Sequence, residues 1–446
     1  MQINVEIGSG SWFYSPAPQK TLITSPVIMH ANHKQVVIIG GGAIGLCCAY
    51  YILKRGTPVT IIERGQPQDE NCSTGNAGMI VPSHFIPLAA PGMLAKGLRW
   101  MLDPRSPFFI RPRLDLSLAR WGWLFYRNST PTHTEASRDL LRDLNMESRR
   151  LFSELASENQ FPLVQRGLLM LCRTSQALDE ETHVATIARD IGLRADVLDA
   201  RQTAIADPAC TMNVAGSIHF HDDCHIDPAR FLASMRSRVL SLGAQIINGT
   251  DIIKLEPNSN RVSAAITHDN QRIEGSDFIL AAGSWSARLL STIGIRLPLL
   301  PGKGYSLTLP HPPQLPGLCS IFCEDKVAVT PIGSSLRFAG TMEIGDLNLK
   351  VNPMRVQGII RSIPRYLPEF SESLFQNISP WAGLRPVSPD GIPYIGRLKH
   401  LSNLIVNTGH AMMGISLAPV SGRLAADILA NAPPFRPINS LSPGRF

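Results

Sequence analysis

Short apolar runs alternate with amphipathic stretches along the 446 residues. Positions 35–39 and 58–62 are continuous apolar runs, as strands buried on both faces would be. Between them a glycine-rich turn at 40–45 opens a helix running to about 55 and stopped by Gly56. The three pieces predict a βαβ unit. Residues 71–91, rich in Gly, Ala and Pro, read as loop plus one short helix. Helical periodicity occupies about 135–158 and 175–192, while "GLLMLCR" and "GSIHFH" read as strands. Asp227 is placed as an N-cap with Pro228 in the first turn of the next helix. "AQIINGTDIIKLE", "RVSAAIT" and "QRIEGSDFILAAGSW" predict a β-meander returning to the first sheet. Short strands and turns follow over 298–345, then a helix over 354–367 and a final strand, loop and long helix from about 404 to 430.

This interleaving predicts an α/β fold: a discontinuous Rossmann-like domain around the βαβ unit, with an inserted α+β domain whose sheet is mainly antiparallel. The expected boundaries are a flexible tail at 1–33, the nucleotide-binding domain at 34–95, 214–297 and 378–446, and the second domain at 96–213 and 298–377. Composition agrees. With 44% hydrophobic and 17% charged residues the chain buries a large interior, which excludes wholesale disorder. Its formal charge of +7 is too weak to argue for nucleic acid. Eight cysteines without a Cys-x-x-Cys pair do not make a disulfide scaffold or a zinc site, and indicate a reducing compartment. No apolar run approaches 18 residues, and the N-terminal segment lacks a signal pattern, with Met29 an alternative start. A cytoplasmic protein is expected.

The pattern Gly40-x-Gly42-x-x-Gly45 is weak alone and strong in this place. It follows a buried strand and opens a helix, and the acidic Glu63 lies at the tip of the next strand. Gly40 makes the tight turn, Gly42 lets a pyrophosphate approach the backbone, and Gly45 lets helix and strand pack. The helix N-terminus offers free N–H groups to phosphate, and Glu63 accepts ribose hydroxyls. Two later segments favour FAD over NAD. "DFILAAGSW" ends a further apolar strand in a small-residue turn, and "STGNAGM" can set backbone N–H groups against a flavin's phosphate and ribityl chain.

Taken together, "VVIIGGGAIG", "TGNAGMIVPSHFIPLAAPG", "LRWMLDPRSPF", "DPARF", "ILAAGSWS", "PGKGYSLT", "KVAVT", "RFAGTMEI", "GLRPVSPDGIPYIG" and "NTGHAMMGISLAPVSGRLAADIL" resemble the FAD-dependent D-amino-acid oxidase/glycine oxidase superfamily. The resemblance is nearest to the bacterial D-amino-acid dehydrogenase (small subunit) type and covers nearly the whole chain. It implies non-covalent FAD held by Gly40, Gly42, Ala43, Ile44, Gly45, Glu63, Arg64, Gly75, Asn76, Ala77, Gly78, Met79, Ile252, Ala282, Gly283, Trp285, Gly383, Met413, Gly414 and Ile415. It also implies that Arg385, in "GLRP", pairs with the substrate carboxylate. A planar guanidinium suits that task, because it grips a carboxylate bidentately and so orients the molecule. Ala328 stands where many members carry a tyrosine that shares the carboxylate, leaving Tyr305 as a candidate for that contact. His84 and His410 are the remaining candidates at the reaction centre.

The implied activity is oxidative deamination of D-amino acids to 2-oxo acids and ammonia, by hydride transfer from Cα to flavin N5, with electrons passed to a respiratory acceptor (a quinone or an electron-transfer protein). Two alternatives stand beside it: oxidation of a secondary amine or imino acid such as D-hydroxyproline, D-proline, sarcosine or glycine, and a flavin-containing tRNA-modification or non-catalytic subunit. "HFHDDCH" at 219–225 has metal-ligand residue types but reads as a strand and turn, so no metal is expected. "GKGYS" lacks phosphate-loop spacing and reads as a turn. Residues 96–127 hold seven basic residues (Lys96, Arg99, Arg105, Arg111, Arg113, Arg120, Arg127) against Asp103 and Asp115, interleaved with seven aromatics. That composition fits either a helical layer capping the second domain or peripheral contact with the inner face of the plasma membrane.

Overall fold

The structure is a computed structural model that describes residues 35–446 other than 102, 104, 112 and 114. The expected tail at 1–33 lies outside the described residues. The Val36–Ile39 run is buried at every position, and it pairs in parallel with Val59–Ile62 on one side and Asp277–Leu280 on the other. Gln245–Ile247 and Leu401–Thr408 extend this sheet outward in parallel, and Tyr394–Leu398 closes one edge antiparallel. The meander residues form a separate three-stranded antiparallel sheet, Ile252–Asn258, Arg261–Thr267 and Arg272–Glu274, before the chain re-enters at Asp277.

The helix Ala43–Leu53 leaves the first strand through Gly40, whose φ of +109° needs a residue without Cβ. A Cβ on Gly45 would stand 1.9 Å from the Gly40 carbonyl oxygen, so the helix lies against the strand end as closely as a backbone can. The C-terminal helix Ala418–Leu429 packs beside it, with Gly422 against Cys47. Asp227 caps the helix Pro228–Ser241, accepting from the N–H groups of Ala229 and Arg230.

A second, nine-stranded sheet carries the other wall of the site. Its order is Trp381–Val387, Leu300–Pro310, Ser335–Ile344, Val327–Ile332, Cys319–Phe322, Leu168–Cys172, Gly216–Phe220 and Ala195–Asp199, with Phe108–Ile110 paired to Ser335–Ile344. Most pairings are antiparallel; Leu168–Cys172 with Cys319–Phe322 and the Phe108–Ile110 pair are parallel. Gly216–Phe220 and Trp381–Val387, which fall within the ranges expected for the nucleotide-binding domain, both hydrogen-bond into this sheet. The short helix expected within 71–91 is also absent. That stretch is turns and the two-residue strand Met79–Ile80, and the next helix is Met93–Met101. Asn71 explains the turns, since its side-chain oxygen takes the N–H groups of Ser73 and Thr74.

Candidate functional site

A continuous cavity of about 1080 Å³ runs between the two sheets. At one end Glu63 closes the strand Val59–Ile62. Its two carboxylate oxygens accept from the N–H groups of Gly41 (2.6 Å) and Gly65 (2.9 Å), so the carboxylate is held across the glycine turn. An ionised carboxylate has about four acceptor sites, which leaves capacity for ribose hydroxyls. The guanidinium of Arg64 lies over the Trp285 ring, 3.8 Å from its centroid. The helix N-terminus at Gly42 has no side-chain cap. A helix N-terminus whose cap residue offers no side chain, an acidic strand tip and a cavity of this volume fit FAD.

Eighteen of the twenty residues expected at the cofactor line this cavity: Gly40, Gly42, Ala43, Ile44, Glu63, Arg64, Gly75, Asn76, Ala77, Met79, Ile252, Ala282, Gly283, Trp285, Gly383, Met413, Gly414 and Ile415. Gly45 and Gly78 do not. Gly45 serves helix–strand packing, and Gly78, at φ +76°, lets the loop pass the Ile226 carbonyl, where a Cβ would come within 2.3 Å. The loop over 73–78 is tied down from three sides. Ser73 Oγ accepts from Ala43 N–H, Ser306 Oγ donates to the Gly75 carbonyl, and Arg337 Nη1 donates to the carbonyls of Thr74 and Asn76.

At the other end sits Arg385, on the strand Trp381–Val387. Pairing with Leu300–Pro310 places Gly302 opposite Arg385 and Gly304 opposite Gly383. The guanidinium lies over Gly304, where a Cβ would meet Nη2 at 2.3 Å. Its Nη1 donates to the Thr341 carbonyl. That carbonyl is presented by a bulge: the register between Leu300–Pro310 and Ser335–Ile344 slips between Lys303 and Tyr305, and Thr341 adopts φ +67°. A β-branched residue in the left-handed region is strained, and such strain concentrates at functional sites. Burial draws the Arg385 guanidinium below its ordinary value, with Cys72 acting in the opposite sense. Among the described residues no carboxylate pairs with this enclosed cation.

Tyr305 also lines the cavity, but its hydroxyl is engaged away from Arg385. Residue parity sends its side chain to the face opposite Gly304, into a cluster with Leu307, Phe338 and Ile359, where the hydroxyl donates to Glu343 at 2.9 Å. The tyrosine thus braces the bulge from behind, together with the buried Lys303–Glu343 pair at 3.7 Å. His84 lines the cavity, with Nδ1 3.2 Å from Ser83 Oγ. Burial, reinforced by Lys326, lowers its imidazole to about 4, so it is neutral at pH 7. His410 also lines the cavity and is 2% exposed, with Nε2 2.9 Å from Ser421 Oγ; burial lowers it to about 3. Neither is a proton acceptor matched to neutral pH.

Several lining residues escaped the sequence reading. Trp381 sets its ring against Gly75 and Gly383, and Cys72 lies along the same wall with its thiol raised to about 11 by burial. Lys326 stands at the turn between two strands of the second sheet. These three come together through packing between segments far apart in sequence. Four side chains of "HFHDDCH" take protein partners: Asp222 with Arg194, Asp223 with Ser83, His221 with Asp196 and His219 with the Arg166 carbonyl.

A family model described as DAO, FAD dependent oxidoreductase, matches residues 35–428. The chain is 32% identical over 427 residues to the D-amino acid dehydrogenase of Methylobacterium radiotolerans, covering 92% of this chain and 99% of that protein. It is 32% identical over 435 residues to the D-amino acid dehydrogenase of Rhodopseudomonas palustris, covering 92% and 98%. Among solved structures, glycine oxidase from Geobacillus kaustophilus matches with a TM-score of 0.74 at 22% identity, covering 93% of this chain and 99% of that one, which is a likeness of fold.

Proposed function

The chain belongs to the DAO family of FAD-dependent oxidoreductases, and on that premise we propose that it deaminates D-amino acids oxidatively to 2-oxo acids and ammonia. The observation that carries this reading is the enclosed Arg385 guanidinium, fixed by one carbonyl and lacking a carboxylate partner at the end of a cavity that fits FAD. A cation in that state calls for an anion, since charges taken out of water persist when paired. The α-carboxylate of an amino acid supplies one in the planar form a guanidinium grips. The relatives named D-amino acid dehydrogenase favour the D-series.

FAD, when bound, supplies a two-electron acceptor for the hydride leaving Cα. The protein's own contribution is orientation. Arg385 pins one end of the substrate, the Thr341 carbonyl and Gly304 fix the guanidinium, and the neutral His84 and His410 add no positive charge beside it. The imine product hydrolyses in water to the 2-oxo acid and ammonia.

The test is anaerobic mixing of the yellow protein with a panel of D- and L-amino acids, D-proline, glycine and sarcosine. Bleaching by D-amino acids is expected. Bleaching by sarcosine or glycine alone would replace this reading with secondary-amine or glycine oxidation, and no bleaching at all would end both.

The electron acceptor is proposed to be a respiratory quinone or an electron-transfer protein reached at the inner face of the plasma membrane. The 96–127 stretch supports this in a narrower form than its composition suggested. Trp121 is buried with Nε1 on the Val387 carbonyl, Phe108 lines the cavity, and Arg105, Arg111 and Arg113 pair with Asp103, Asp346 and Asp115. The outward face is the helix Leu116–Asn128, with Leu116 90%, Trp123 59% and Tyr126 58% exposed beside Arg120 and Arg127. No helix of the described residues is long and apolar enough to cross a membrane.

A further inference from the structure

The face of the nine-stranded sheet that carries Arg385 continues past the point where an α-carboxylate is held. Across it, Trp381 is opposite Ser306, Ser306 opposite Ala339, and Ala339 opposite Ala328. Residues directly opposite share a face, so Ala339 and Ala328 lie on the cavity side. They are small, and with Gly304 they make a floor over which a side chain can extend. At the far end of this floor stands Lys326, two positions before Ala328, with its N–H closing the turn onto the Phe322 carbonyl at 2.8 Å.

Two strand spacings of ~4.8 Å separate the row under the guanidinium from Lys326. A lysine side chain reaches about 6 Å from Cα, which leaves roughly 4–10 Å between the two cations. The two carboxyl carbons of a four- or five-carbon dicarboxylate stand about 4–5 Å apart. The other cation near this floor is already engaged, because Arg337 holds the carbonyls of Thr74 and Asn76. Lys326 itself has a loose pair, Glu181 at 4.0 Å, and its side chain is 41% exposed, so it can turn to a ligand.

We propose that Lys326 is a specificity-determining residue, and that the preferred substrates are D-amino acids bearing a second carboxylate at the end of a short side chain, of the D-aspartate and D-glutamate class. This rests on the reading of Arg385 as the α-carboxylate site. Arg385 fixes the end near Cα, and Lys326 receives the distal carboxylate across the alanine floor.

Two readouts test it, one independent of turnover. In the first, the visible absorbance of the flavin-loaded protein is titrated with succinate and glutarate against butyrate and valerate. Wild type is expected to favour the dicarboxylates by about tenfold or more, the effect of one charge-assisted hydrogen bond. Lys326→Met should bring that ratio toward unity, and Lys326→Arg should restore it. In the second, kcat/KM for D-glutamate is compared with that for D-norvaline, and the ratio should fall in Lys326→Met by a similar factor. A wild type without dicarboxylate preference, or a Lys326→Met protein that keeps it, overturns the proposal while leaving deamination intact. If no D-amino acid bleaches the flavin yet the succinate preference remains dependent on Lys326, the deamination reading fails and the two-cation site stands.

Discussion

Replacing Arg385 by methionine separates its two possible contributions, because the structure assigns them opposite signs. In the substrate-free protein the guanidinium makes one hydrogen bond, to Thr341, and faces the cavity half-buried, with no carboxylate partner among the described residues. Methionine nearly matches the volume and removes that burden, so the melting temperature of the flavin-loaded Arg385→Met protein is expected to hold or rise. Substrate binding should move the other way. Two charge-assisted hydrogen bonds to the α-carboxylate are worth about 1.5–3 kcal/mol each, together roughly 3–6 kcal/mol, or a 10²–10⁴-fold loss in kcat/KM. Arg385→Lys keeps the charge but not the planar fork, and should fall between the two. The assay is anaerobic flavin reduction over a range of D-amino acid concentrations, paired with thermal melting of the same preparations. A loss of kcat/KM under tenfold would refute the carboxylate assignment. A clear drop in melting temperature together with lost flavin would refute it differently, by making Arg385 a structural cation.

Two further outcomes follow from groups elsewhere. His410 is held near 3 by burial against an ordinary 6.5, so the unfolded chain takes up its proton first. Its contribution to stability is therefore complete above about pH 6.5 and is lost as pH falls towards 3, about 2 kcal/mol by pH 5. His410→Asn should flatten that part of a denaturant-midpoint curve against pH, and parallel curves for the two proteins would contradict it. On the helix Leu116–Asn128, the double variant Trp123→Ala, Tyr126→Ala should weaken co-sedimentation with phosphatidylglycerol vesicles by roughly tenfold, with binding falling further as salt rises; unchanged sedimentation would remove the membrane-contact reading.

What the sequence made legible was local. The Val36–Ile39 run, the glycine turn, Glu63 and the Asp227 cap each follow from a few adjacent residues, and each stands as the pattern implies. Arg385 was legible through the resemblance of its flanking motif. What remained hidden depended on which face a residue takes in a strand without a polar face. Leu300–Pro310 is buried along nearly its whole length, so alternation cannot tell that Gly304 faces Arg385 while Tyr305 faces Glu343. The same ambiguity concealed Trp381, and the sheet that Gly216–Phe220 and Trp381–Val387 join is chosen by long-range pairing.

The bulge joins these hidden features into one device. Without the slip between Lys303 and Tyr305, strand pairing would direct the Thr341 carbonyl into an ordinary ladder, and Arg385 would have no fixed acceptor. Holding a β-branched residue at φ +67° costs on the order of 1–3 kcal/mol, so the surrounding structure must over-determine it. The brace is on the far face: Tyr305 donates to Glu343, accepts from the Asn352 N–H at 3.3 Å, and Glu343 stands 3.7 Å from the buried ammonium of Lys303, which itself donates to Asn348 and the Lys350 carbonyl. A polar network satisfied in this way is stiff. The guanidinium is therefore set before any carboxylate arrives, and little of the binding energy is lost in ordering it. Tyr305, which also lines the cavity, thereby supports the backbone that aims Arg385.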